Sequence, residues 1–285
     1  MFEDFTFQSP GPILLDLGLL KVRWYGFLYA VAFLTGLWVA PKIVAKRIEV
    51  NEKIGKDSEH LAEYKKFLDK EEISNFAFVG LISGLIGARL LFVILNLDYF
   101  MSFPLEAPQI WLGGQCIQGG IVGGIIGTLV YQYYSNKKDA ENSASGNFTK
   151  SYLFKLSSFA CLMPLAQAIG RWGNFFNEEA FGFETGLPWK LYISHLGTFH
   201  HPTFLYESIW NLLSFAVMIL LVRRALSSTT LIASYLIAYS VGRFLIEPIR
   251  TDSLMIGDIP SASLISVVFI IFAILVLLIK NKLAR

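Results

Sequence analysis

The sequence predicts an all-α, polytopic integral membrane protein with about seven transmembrane helices, built as a single membrane domain over residues 1–285. Three observations predict it. The chain is 54% hydrophobic and 16% charged, where soluble domains carry about a quarter charged residues. Its mean hydropathy is +0.52. Its apolar residues gather into seven stretches long enough to cross about 30 Å of hydrocarbon. Such a composition excludes a disordered, collagen-like or ordinary cytosolic chain, and a net charge of +2 is too small to imply a nucleic-acid partner.

The stretches lie near 22–40, 73–95, 110–134, 152–170, 203–222, 229–247 and 261–279. The first does not read as a cleavable signal, because Met1 to Leu20 holds no Lys or Arg and no small-residue cleavage site follows. Lys and Arg are divided unequally between the loops. Segment 41–72 has eight, 135–151 three, 223–228 two and the tail three, sixteen on one side. The opposite loops hold Arg171, Lys190 and Arg250. By the positive-inside rule the N-terminus is outside and the C-terminus cytoplasmic, which an odd number of spans requires. Segment 41–72 is then a charged cytoplasmic loop and 171–202 an outer loop. Leu61, Tyr64, Phe67 and Leu68 recur at helical spacing, so a short surface helix is expected inside 41–72.

Glycine is concentrated in the second and third spans. Gly119, Gly123 and Gly127, and Gly120 with Gly124, recur every four residues, and Gly80, Gly84 and Gly87 form a similar stripe. Such stripes let helix backbones approach closely. The glycines before Gln118 are also suited to breaking a helix where it lines a cavity. Cys116 and Cys161 have no metal-ligand or disulfide spacing and read as small apolar fillers.

Ionised side chains inside spans are expensive and mark function by default. Lys155 lies near a span end and is expected to snorkel. Arg89, Arg171, Glu207, Arg243 and Glu247 are not disposed of so simply. Arg243 and Glu247 are spaced i, i+4 on one helix, and Arg250 extends that face if the helix passes Pro248. Stretch 170–182, Gly-Arg-Trp-Gly-Asn-Phe-Phe-Asn-Glu-Glu-Ala-Phe-Gly, crowds Arg171, Asn174, Asn177, Glu178 and Glu179 at the outer end of the fourth span. Arginine forks suit phosphate, so Arg171, Arg243 and Arg250 together are placed to receive an anionic phospholipid headgroup. His195, His200 and His201 cluster in sequence but lack a Cys or carboxylate at zinc-ligand spacing. No nucleophile elbow, zinc-protease helix or phosphate-binding P-loop is present. From the residues alone an enzyme, an anion or lipid transporter and a non-catalytic acidic-phospholipid-binding protein all stay open. Internal repeats would favour transport and are not seen, and the unusual charges sit at the outer end, not on the cytoplasmic surface.

Stretch 170–182 resembles the signature of the prolipoprotein diacylglyceryl transferase family at every fixed position. Arg23-Trp-Tyr-Gly26 is similar to the family's first-span motif, Gly87-Ala-Arg89 to its second-span arginine, and Trp111–Gly124 to its glycine-rich third span. His201-Pro-Thr-Phe-Leu-Tyr-Glu207 and Gly242-Arg-Phe-Leu-Ile-Glu-Pro-Ile-Arg250 resemble two further elements, and all six follow the family order. The resemblance implies a multi-pass bacterial cytoplasmic-membrane transferase with its active site toward the outer leaflet. It implies movement of the diacylglyceryl group of phosphatidylglycerol to the lipobox cysteine of a prolipoprotein signal peptide. A thioether forms and glycerol phosphate leaves, in the first step of lipoprotein maturation. No metal or organic cofactor is expected.

On that resemblance Arg171 and Arg243 stabilise the departing phosphate, with Gln118 and Glu179 in the catalytic set. Asn174, Tyr25, Gly119, Glu207, Glu247, Arg250 and Arg89 bind or support the substrate, with Glu179 and Glu247 orienting arginines. One position departs from the family. The third-span motif often carries His, in some members Tyr, where this chain has Gln118. An amide takes no proton, so either Glu179, Glu207 or Tyr25 accepts it, or an electropositive pocket lowers the thiol pKa from about 8.5.

Overall fold

The computed structural model describes residues 5–18, 21–110, 114–141 and 147–283. Among these the long helices are α1 (Trp24–Lys53), α3 (Lys70–Leu95), α5 (Ile117–Glu141), α6 (Phe148–Asn177), α7 (Thr203–Arg223), α8 (Ser228–Ile246) and α9 (Ser261–Leu283), with short α2 (Leu61–Phe67) and α4 (Leu97–Ser102) between them. Six of the long ones are long and apolar enough to cross a membrane. Helix α5 is not among the six: glycines and the polar Gln118, Gln132, Ser135 and Asn136 dilute its apolar content. It also starts at Ile117, later than the expected 110, because Gly114 takes a positive φ and Cys116 N–H bonds the Ala88 carbonyl before the helix begins. Exposed Val268, Ile271, Phe272, Leu275 and Leu278 on α9 are what a lipid-facing surface requires.

The chain forms two compact units, Asn51–Lys155 and the remainder. In the first, α3 and α5 pack glycine against glycine. A Cβ added at Gly87 would overlap the Gly119 carbonyl oxygen and come within 2.8 Å of Gly123 Cα. The charged segment is structured: α1 runs through Pro41 to Lys53 and α3 begins at Lys70, capped by Asp69, which accepts from Glu71 N–H at 3.1 Å. The short helix expected there is α2, but Tyr64 and Phe67 are buried, Tyr64 stacking on Phe154 at 3.9 Å. Lys155 does not snorkel. Its ammonium is buried 3.8 Å from Glu72 and 4.9 Å above the Phe67 ring, because aromatic faces and a carboxylate replace water around it.

In the other unit α1 meets α6 through Trp24 stacked on Phe176 at 3.9 Å. Ser208 on α7 donates to the Ala168 carbonyl of α6, and Trp210 Nε1 to the Ala238 carbonyl of α8 at 2.8 Å. A three-stranded sheet, in the order β1 (Phe7–Gln8), β2 (Leu191–Ile193), β3 (Thr198–His200), covers one end of this bundle. Its first pair is parallel and its second antiparallel. Phe175, Leu191, Ile193 and Phe204 form the core beneath it, so the 178–202 segment is a folded cap, not an open loop.

Candidate active site

Helices α1, α6, α7 and α8, with the segments that follow α6 and α8, bring a group of polar side chains to the sheet-covered end of this unit. Glu207, one turn into α7 and buried, is the centre. One of its carboxylate oxygens lies 2.5 Å from Arg171 Nε, and the other 3.2 Å from Arg250 Nη1 and 3.5 Å from Arg243 Nη1. Arg243 Nη2 meets Glu247 at 2.5 Å, the pairing that the i, i+4 spacing dictates. Arg250 lies past the end of α8. The helix stops at Ile246, Glu247–Ile249 form a 3-10 turn containing Pro248, and Arg250 is extended. Its fork grips Asp252 at 2.9 and 3.0 Å. Burial opposes its charge, but the bond to Asp252 and the field of Glu207 raise its pKa above the ordinary arginine value.

Three guanidinium groups thus face three carboxylates, which is how such ions persist in a low-dielectric site. The balance leaves donors over. Arg171 approaches Glu207 most closely through Nε, and its two terminal nitrogens make no hydrogen bond among the described residues. Its side chain is 23% exposed and lines a small cavity.

Beside this cluster Asn174, Tyr25 and Glu179 close a triangle. Tyr25 Oη donates to Glu179 at 2.6 Å, and Asn174 Nδ2 donates to Tyr25 Oη at 2.7 Å and to Glu179 at 2.9 Å. Gly173 is required for it: a Cβ there would sit 2.8 Å from the Tyr25 ring. The turn after α6 holds Glu178 and Ala180 at positive φ. Glu178 is fixed by Ser194, whose hydroxyl and N–H donate at 2.7 and 3.0 Å. Glu179 is thus bonded to Tyr25 and Asn174, while Glu247 pairs with Arg243. Glu207 is occupied by three arginines.

Gly182 ties the cap to Arg250. It bridges to Arg250, its N–H donates to the His201 carbonyl, and a Cβ would come within 2.7 Å of His201 and 3.0 Å of Ile249. The histidines have separate partners: His200 lies 2.7 Å from the Gly182 carbonyl and His201 3.1 Å from Tyr206 Oη. Among the described residues no group of three or more His, Cys, Asp and Glu is placed to hold a metal.

Arg89, Gln118 and Gly119 belong to the Asn51–Lys155 unit. Arg89 is buried and donates to the carbonyls of Glu106, Ala107 and Gly114 at 2.6, 2.7 and 3.0 Å, so it clamps the segment leading to α5. Gly119 is buried against Gly87. Gln118 is exposed and accepts from the Cys116 thiol at 2.8 Å, so Cys116 is not a mere apolar filler. Trp210, Asn211 and Tyr239 were not anticipated. They line a cavity of about 10 Å³ with Arg171, Glu207 and Arg243. For Asn211 the signal lay in its i+4 spacing from the intramembrane carboxylate Glu207, which a search for charges passes over.

Fold and site together define a polytopic membrane protein with a cluster of arginine forks balanced by carboxylates. Known proteins narrow the class. The family model described as prolipoprotein diacylglyceryl transferase matches residues 12–279, and the chain belongs to that family. It is 37% identical over 275 residues to the phosphatidylglycerol–prolipoprotein diacylglyceryl transferase of Thermosynechococcus vestitus, covering 93% of this chain and 90% of that one. It is 38% identical over 277 residues to the protein of the same name from Trichormus variabilis, at 92% and 86% coverage. The Thermotoga maritima protein of that name is 38% identical over 264 residues, at 90% and 80%.

Proposed function

We propose that the protein transfers the diacylglyceryl group of phosphatidylglycerol to the lipobox cysteine of a prolipoprotein signal peptide. It does so in the bacterial cytoplasmic membrane, with the N-terminus and the arginine site on the outer side. The Lys/Arg asymmetry between loops supports the orientation. The observation that carries the function is the pair of Arg171 terminal nitrogens, without a hydrogen bond among the described residues, beside Arg243 in a cluster of arginines and carboxylates.

The chemistry follows from the geometry. The thiol gives its proton to a base and its sulfur attacks the glyceryl carbon. The carbon–oxygen bond to phosphate breaks, and glycerol phosphate leaves as its charge grows from one toward two. Arginine donors aimed at those oxygens bind the transition state better than the ground state. Glu179 is the base. It is exposed and held by the neutral donors Tyr25 and Asn174, whereas Glu207 and Glu247 are neutralised by arginine.

Purified protein mixed with phosphatidylglycerol and a lipobox peptide should add one diacylglyceryl unit to the peptide, read by mass spectrometry. The gain should vanish with a Cys→Ser peptide and with Arg243→Ala protein. Folded, lipid-binding protein that yields no gain would refute the assignment and bring a lipid-binding role forward.

A further inference from the structure

The cavity beneath the arginines contains a group that the reaction as described leaves without a task. Asn211 is one turn deeper in α7 than Glu207 and 7% exposed, yet its carboxamide has no hydrogen-bond partner among the described residues. It lines the cavity with Arg171, Glu207 and Arg243. Its amide atoms are not sealed off but open on the cavity, and their place beside the arginines matches a site in which a ligand supplies the missing bond. Trp210 fixes the wall next to it. The indole donates to the Ala238 carbonyl and lies so close to Gly242 that a Cβ there would overlap its ring.

We propose that Asn211 hydrogen-bonds a hydroxyl of the lipid's glycerol headgroup and thereby selects a polyol phosphate ester. The inference rests on the phosphatidylglycerol reading above. Size and chemistry decide which headgroup atom it meets. The cavity is about 10 Å³, room for one oxygen-sized group and far too little for a phosphate. An anionic phosphate oxygen would be repelled by Glu207, which lines the same space. A hydroxyl both donates and accepts, so Glu207 can receive its proton while the Asn211 amide donates to its oxygen. The phosphate then stays above, on the terminal nitrogens of Arg171.

The test pairs a change in the lipid with a change in the protein. Wild-type enzyme should use phosphatidylpropanol, matched in acyl chains but lacking both headgroup hydroxyls, on the order of tenfold less efficiently in kcat/KM than phosphatidylglycerol. Propyl phosphate and glycerol phosphate leave with similar ease, so the difference reports recognition. Asn211→Leu, which keeps the branching at Cγ but removes the amide, should lose efficiency with phosphatidylglycerol but not with phosphatidylpropanol, so that the two lipids become equal within about twofold. Asn211→Ser should keep part of the preference. Equal use of both lipids by the wild type would overturn the proposal without any variant needing to fold. So would a loss in Asn211→Leu of the same size on both lipids, since that marks a structural residue. Transfer from neither lipid by folded wild-type protein would instead sink the phosphatidylglycerol reading, and the proposal with it.

Discussion

Replacing Glu207 by Gln keeps the shape of the side chain and removes the charge on which three arginines converge. Two unit charges about 4 Å apart attract by about 4 kcal/mol at an effective dielectric constant of 20. Glu207 lies 2.5, 3.2 and 3.5 Å from nitrogens of Arg171, Arg250 and Arg243. The gross attraction is therefore large, but repulsion among the arginines and the desolvation of every ion offset most of it. Losing one partner of a buried ionic group costs about 3–5 kcal/mol, because a cation is left uncompensated. For a chain of this size that corresponds to a fall of about 10 °C in the unfolding midpoint. Thermal unfolding in detergent, followed by tryptophan fluorescence, measures it. The double variant Glu207→Gln/Arg250→Gln removes one cation with the anion and leaves Asp252, whose side chain is 49% exposed, to water. It should recover part of the lost stability while transfer activity stays low, because Arg171 still lacks the charged acceptor that fixes its fork. A single variant within about 2 °C of wild type and fully active would show that Glu207 does not hold the arginines, and the account of the site would fail.

Gly87→Val and Gln118→His probe the Asn51–Lys155 unit. Gly87→Val puts a branched side chain into the Gly119 carbonyl and the Gly123 backbone, which cannot rotate away. It should cost about 3 kcal/mol and sharply reduce the yield of folded protein, whereas Gly36→Ala, with nothing within 4 Å, should leave the unfolding midpoint unchanged or slightly higher. Gln118→His should be tolerated, with activity within about threefold and an unshifted pH profile, if Glu179 takes the thiol proton; a loss as deep as that of Arg171→Ala would count against a purely hydrogen-bonding Gln118.

The spans were legible because lipid imposes a length and a composition on every helix that crosses it. Helices α7, α8 and α9 begin within one residue of their expected starts. The glycine stripes were equally clear, since a backbone that packs on a backbone leaves a four-residue repeat in the sequence. What could not be read was where a helix continues beyond the hydrocarbon. Helix α1 keeps its hydrogen bonding past Pro41 into a charged stretch, and hydropathy is blind to that. The arginines and carboxylates stood out one by one, because each is anomalous in a span. Their pairing did not, apart from Arg243 with Glu247, where helix geometry sets the partner. That Glu207 serves three arginines from three separate segments is a tertiary fact. Asn211 was missed for a related reason: an asparagine in a span is unremarkable until the packing shows it has no partner.

The balance of charge suggests why the site is built around a buried carboxylate instead of bare arginines. Uncompensated guanidinium groups would bind any anionic headgroup tightly in its ground state, which deepens the well from which the reaction must climb. With Glu207, Glu247 and Asp252 countering Arg171, Arg243 and Arg250, a singly charged phosphodiester gains little from the net field and is held mainly by directed hydrogen bonds. As the carbon–oxygen bond breaks, the phosphate gains a second charge, and the terminal nitrogens of Arg171 respond to that added charge. The carboxylate thus weakens the binding of substrate more than that of the transition state. It also holds the guanidinium planes in place beforehand, so little reorganisation is needed when the charge develops. Arg171→Lys separates these contributions, since it preserves the charge but loses the fork that can face Glu207 and the phosphate at once. It should leave lipid binding within about threefold and lower kcat by at least tenfold. A rise in KM with kcat unchanged would mean that charge alone is used.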